Sequence, residues 1–148
     1  MNPPTSTPHP TPPRTTAALA AATVAVTVTM LVLDLAWLGV VAKDFYDAAL
    51  GALRSPAVYW PAAGLFYAFY VAVIVIYAVR GTTGPAAAAR RGAALGLVAY
   101  GTYELTNWAV LRDWPARLVP VDLAWGIALT AVAAAMGRWV YAKVVGRR

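Results

Sequence analysis

A chain of 148 residues that is 61% hydrophobic and only 12% charged lies far below the roughly 25% charged residues of a soluble domain, and predicts a single membrane-embedded unit. Its net charge of +6 does not point to nucleic acid, because Lys and Arg flank apolar runs instead of forming a basic stripe among exposed aromatics. The absence of cysteine excludes disulfides, thiol nucleophiles and thiolate metal sites.

Residues 1–16 hold six prolines among Thr, Ser and one His, a composition that keeps backbone extended and predicts a disordered, proline-rich arm. His9 within it has no second His and no Cys to complete a metal site, so it reads as a solvated residue. Residues 17–148 then read as an all-α integral membrane bundle of four transmembrane helices, at about 17–41, 60–79, 92–111 and 118–140. Each run has about the twenty residues that cross roughly 30 Å of hydrocarbon. The first run resembles a signal peptide in position only, since it exceeds the usual 7–15 apolar residues and carries Asp34.

The connections are short. Lys43-Asp44-Phe45-Tyr46-Asp47 with Ala48, Leu50 and Leu53 suits a short interfacial helix. Gly81, Gly84 and Pro85 break the chain between the second and third runs, and Arg112 to Arg117 leaves room only for a tight antiparallel hairpin between the third and fourth. Arg14, Arg80, Arg90, Arg91, Arg138, Lys143, Arg147 and Arg148 fall on one side of a four-span topology, and Lys43, Arg54, Arg112 and Arg117 on the other. Eight against four predicts both termini in the cytoplasm.

Three acids interrupt the apolar runs: Asp34, Glu104 and Asp122. A carboxyl group near mid-span costs roughly 2–3 kcal/mol, and no Lys or Arg lies near these acids within their runs, Arg138 standing at the far end of the fourth. At 1.5 Å per residue all three fall roughly 4–8 Å outward of their span centres, which places them at one level. Asp34-Leu-Ala-Trp37 and Asp122-Leu-Ala-Trp125 repeat one tetrapeptide on helices of opposite direction, and a spacing of three puts each carboxyl on the same face as its own indole. On the third helix Tyr100, Glu104, Asn107 and Trp108 gather a hydroxyl, an amide and an indole around a carboxyl. The expected pocket is therefore lined by Asp34, Trp37, Tyr100, Glu104, Asn107, Trp108, Asp122 and Trp125. Trp60, Trp108, Trp114, Trp139 and Tyr141 read most simply as interfacial anchors, Trp108 also being a pocket candidate, and Gly92 with Gly96 as a small-residue face for close helix contact. No cofactor is expected, and no metal, since the acids have no histidine to join them.

The blocks LDLAWLGVVAKDFY (Leu33 to Tyr46), GLVAYGTYELTNWAVLRDWP (Gly96 to Pro115) and VDLAWG (Val121 to Gly126) resemble an uncharacterised bacterial family of small membrane proteins, domain of unknown function 2177. The resemblance implies a multi-pass protein of the bacterial inner membrane and supplies no reaction or substrate. Three readings of the acids stay open. They bind or modify a lipid-derived molecule; they couple a proton or cation to movement of a small molecule, which with four helices predicts at least a dimer, such as a homodimer, with the Gly92–Gly96 face as a candidate contact; or they only accept hydrogen bonds that set the register of the bundle. The partners expected are the lipid bilayer and such a lipid-derived molecule, with no nucleic acid.

Overall fold

The computed structural model describes residues 12–146, all of whose regular elements are helical. Residues 1–11, which hold His9 and most of the expected disordered arm, and Arg147 and Arg148 lie outside the described residues. Helix α1 spans Pro12–Ala36 and continues as a π-helical turn, Trp37–Val41, closed by a 2.7 Å bond from the Ala42 amide to the Trp37 carbonyl. It begins earlier than the Ala17 expected, because prolines fit the first turn of a helix, where no amide donor is needed. Helix α2 is Lys43–Leu50. Helix α3, Trp60–Val73, runs on as a π-helical segment, Ile74–Val79. Helix α4, Pro85–Val110, starts ahead of the expected Gly92 because Pro85 occupies the first turn and an alanine run follows it. Helix α5, Leu118–Gly146, is the longest.

Thr15–Val41, Trp60–Val79 and Leu118–Gly146 are long and apolar enough to cross a membrane. Their outward faces carry Val24, Val28, Val32 and Leu35, then Leu65, Phe69 and Ile76, then Val132 and Met136, all exposed. So continuous an apolar wall suits lipid and would be an aggregation surface in water.

α5 lies at the centre, with α4 along one side, α1 along the other and the Ile74–Val79 segment closing across them. The α4–α5 contact is backbone on backbone. A Cβ on Gly92 would sit 2.5 Å from the Thr130 carbonyl oxygen, and one on Gly96 would collide with the Gly126 carbonyl. The small-residue face of α4, expected to serve a second copy of the chain, is thus filled by α5, and a homodimer cannot be built on it. On the other side Ala22, Val26 and Met30 of α1 pack with Ile74, Ala78, Val79, Leu129 and Ala133 into a fully buried core.

One end of the bundle is capped. α2 lies over the start of α5, where Ala42 and Tyr46 pack on Leu118, and the Arg117 guanidinium donates to the Ala48 carbonyl at 2.6 Å. The turn between α4 and α5 has Asp113 in the left-handed region at φ 62°, a conformation Asp tolerates better than most residues. At the surface of α2, Asp47 pairs with Lys43 at 2.7 Å and with Arg54 beyond the helix.

Gly96→Leu is expected to destabilise the protein by at least about 1–3 kcal/mol, the range for overpacking, since the obstacle is backbone that cannot move aside. Gly64→Ala, where a Cβ meets nothing, is expected to match or exceed wild type. Thermal unfolding in detergent micelles separates the two; equal midpoints for Gly96→Leu and wild type would contradict this packing.

Candidate functional site

A carboxyl group withdrawn from water needs hydrogen-bond donors, and in this chain aromatic side chains supply them. Asp34, near the C-terminal end of α1, is buried and accepts from the Tyr67 hydroxyl of α3 at 2.6 Å and from the Trp125 indole of α5 at 3.1 Å. Asp122, in the first turns of α5, accepts from the Tyr46 hydroxyl, and Tyr46 in turn accepts from the Trp37 indole at 3.3 Å. Glu104 of α4 is 0% exposed and takes the Trp114 indole on Oε2 at 3.0 Å.

The two repeated tetrapeptides serve each other. Because α1 and α5 are antiparallel, Trp125 of one repeat reaches Asp34 of the other, while Trp37 reaches Asp122 through Tyr46. Between these crossed links the indoles of Trp37 and Trp125 stack, with centroids 4.5 Å apart and planes 6° from parallel. Neither indole donates to the acid of its own tetrapeptide, although the two share a helix face. The π-helical turn that begins at Trp37 re-aims the chain into α2, and with it delivers Tyr46.

The acids do not meet as a triad. Glu104 and Asp122 lie close to one another, whereas Asp34 is taken up by Tyr67 and Trp125. The second oxygen of Glu104, Oε1, is buried and has no hydrogen-bond partner. Among the described residues no Lys or Arg forms an ion pair with Asp34, Glu104 or Asp122. Nor is any group of three His, Cys, Asp or Glu placed to hold a metal ion. Burial pushes the Tyr46 hydroxyl above the ordinary tyrosine value, and its bond to Asp122 adds to the shift, so Tyr46 remains a donor throughout the physiological range.

Of the other expected residues, Tyr100 is brought in, its ring lying across Gly126 where any Cβ would collide with it. Asn107 is half-buried beside Tyr103. Trp108 is 52% exposed on the outside of α4, so it does not line the site; Trp114, expected to be an anchor, takes the place beside Glu104 because the tight turn folds it back. Tyr46 and Tyr67 were not foreseen. The signal that points to them is the arithmetic of donors: buried acids without bases require hydroxyls, and these tyrosines sit on the two elements nearest.

Of the eight residues expected to line a pocket, two share a groove. Trp37 and Trp125, with Pro120, Val121, Ala124 and Ala128, line a groove of about 510 Å³ along α1 and α5, and none of Asp34, Glu104 or Asp122 reaches its surface. Deeper along the bundle Tyr70 donates to Thr130 at 2.8 Å, since the Thr130 hydroxyl proton is committed to the Gly126 carbonyl at 2.7 Å.

A family model described as a predicted membrane protein, DUF2177, matches residues 19–139, which include every residue of this network. No curated protein and no solved structure matches the chain.

Tyr46→Phe removes the donor to Asp122 and the acceptor of Trp37 together. It is expected to cost about 1–3 kcal/mol, the penalty of an unsatisfied polar group, in thermal unfolding near neutral pH. The raised hydroxyl also makes a prediction about alkali. Its folded-state value lies above the unfolded value of about 10, so its stabilising contribution is complete below that pH and is lost as pH rises beyond it. Wild type should therefore lose more stability than Tyr46→Phe between neutral and strongly alkaline pH; parallel curves would show that the hydroxyl makes no such contribution.

Proposed function

The chain belongs to this family of predicted membrane proteins, and from that premise we propose that it is a multi-pass protein of the bacterial cytoplasmic membrane that holds or modifies a lipid-derived molecule against its carboxyl network. In this reading the chain crosses four times, α4 being the further span, with both termini in the cytoplasm. At 26 residues α4 is long enough, and it turns Leu97, Val98, Leu105 and Val110 outward while hiding Gly92, Gly96 and Glu104. Arg80, Arg90, Arg91, Arg138 and Lys143 lie toward the end opposite the acids, with Arg138 over Tyr141 at 5.0 Å and Lys143 over Trp139 at 5.6 Å, an arrangement suited to the cytoplasmic interface. The acids then belong to the outer half of the bilayer.

The observation that carries the lipid reading is the groove itself. It is apolar, it runs along α5, and its lining includes the indole pair that hydrogen-bonds into the carboxyl network. A molecule already dissolved in the bilayer reaches such a groove laterally. A carboxyl pair such as Glu104 and Asp122 is also the chemistry of general acid–base work, which brings modification as well as binding within reach. The unpartnered Oε1 of Glu104 supports a second reading, proton- or cation-coupled movement of a small molecule, whose dimer contact would lie away from the Gly92–Gly96 face.

Two experiments test these statements. The chain has no cysteine, so single substitutions can be labelled without background. Ser55→Cys is expected to react with an impermeant maleimide from outside intact cells and Thr83→Cys only after lysis; the reverse pattern would overturn the orientation. For function, a deletion strain is complemented with wild type, Asp34→Asn, Glu104→Gln or Asp122→Asn and its lipids are profiled. Wild type should restore the parental profile and the three variants, accumulating normally, should not. Restoration by all three, or a deletion profile identical to the parent, would remove the lipid role.

A further inference from the structure

The sign of the site narrows the ligand. Three carboxyl groups are brought to one end of the bundle, from α1, α4 and α5, and their partners are neutral donors: Tyr67, Trp125, Tyr46 and Trp114. Of the basic side chains of this end, Lys43 and Arg54 are engaged on Asp47 and Arg117 on the Ala48 carbonyl and the Phe45 ring, and Arg112 forms no ion pair with any of the three acids. Glu104 is completely buried and keeps an oxygen with no partner, opposite Asp122. An anionic head group would meet repulsion here and a neutral one would leave the charge unanswered, whereas a cation complements it. The wall between groove and acids is made of indoles, whose ring faces attract amines and quaternary ammonium groups.

Resting on the lipid reading above, we propose that the ligand is an amphiphile with a positively charged head, an amine or quaternary ammonium, whose apolar tail lies in the groove along Val121, Ala124 and Ala128 and whose head is received by Trp37 and Trp125 and neutralised by Asp122 and Glu104. The tail is held by apolar burial along α5, and the head by charge and ring faces together. Asp34 positions Trp125 through its hydrogen bond and is a positioning residue in this scheme. Entry of the head requires the stacked indoles to part, so their emission reports binding.

The test uses the full chain in dodecyl maltoside micelles, following intrinsic tryptophan fluorescence against three probes. These are dodecyltrimethylammonium; tetramethylammonium, which is the head without the tail; and octaethylene glycol dodecyl ether, which is the tail with a neutral head. Wild type is expected to give a saturable response to dodecyltrimethylammonium at a concentration at least about tenfold below that for either other probe. Trp37→Phe should reduce the amplitude. Asp122→Asn, which retains an acceptor for Tyr46, and Glu104→Gln should each weaken the cationic amphiphile by about tenfold and leave the neutral ether unchanged. If the neutral ether binds as tightly as the cationic amphiphile and the acid variants make no difference, the charged-head proposal is overturned and the lipid reading stands. If tetramethylammonium binds as tightly as the long-chain cation, the groove contributes nothing and the ligand is a free cation, which also overturns the proposal. If neither amphiphile gives a saturable response, both this inference and the lipid reading fall together.

Discussion

Two short stretches of identical sequence, laid against one another in opposite directions, exchange their hydrogen bonds. Trp125 crosses from α5 to Asp34, Trp37 returns through Tyr46 to Asp122, and the two indoles close face to face between them. The rest of this end of the molecule depends on that exchange. It sets the register of α1 on α5, requires α2 to fold back so that Tyr46 bridges the remaining gap, and leaves α4 free to bring Glu104 up to Asp122 from the other side. A tetrapeptide that offers one acceptor and one donor three residues apart is self-complementary only in an antiparallel pair, where each acid faces the partner's indole.

The choice of donors has energetic consequences. Lys or Arg would neutralise a buried acid at the expense of two desolvated charges, and the net gain of such pairs is small or negative. Indole N–H and phenol O–H groups instead bring large apolar bodies with a single polar tip, so they pack the surrounding helices while satisfying the carboxyl groups. Among the described residues the arrangement brings no basic side chain into an ion pair with the three acids, and Glu104 keeps an oxygen without a partner. At the α4–α5 seam the opposite economy applies: Gly92, Gly96 and Gly126 remove side chains altogether, so that Tyr100 passes across α5 and Thr130 binds both Gly126 and Tyr70.

Much of the helical architecture was legible in the chain, because apolar runs broken by Gly, Pro and paired arginines leave few alternatives. Their ends were less so: hydropathy marks where a helix becomes apolar, whereas α4 begins at Pro85, ahead of Arg90 and Arg91. The acids and the repeated tetrapeptide were visible as candidates, and hydrogen bonds setting the register of the bundle were among the readings, but periodicity sees one helix at a time and does not say which indole meets which carboxyl. Gly92 and Gly96 were recognisable as a contact face, yet composition does not say whether α5 or another copy fills it. Trp108 and Trp114 are both tryptophans near the end of α4, and only the tight turn at Asp113 determines that the later one returns to Glu104.

The exchange between the tetrapeptides is tested most directly by double-mutant cycles on unfolding free energy in micelles. Asp34→Asn with Trp125→Phe probes the crossed pair, and Asp34→Asn with Trp37→Phe probes the pair within one tetrapeptide. The crossed pair should couple by about 0.5–2 kcal/mol and the neighbouring pair by little beyond error. Coupling confined to Asp34 and Trp37, with none between Asp34 and Trp125, would contradict the account.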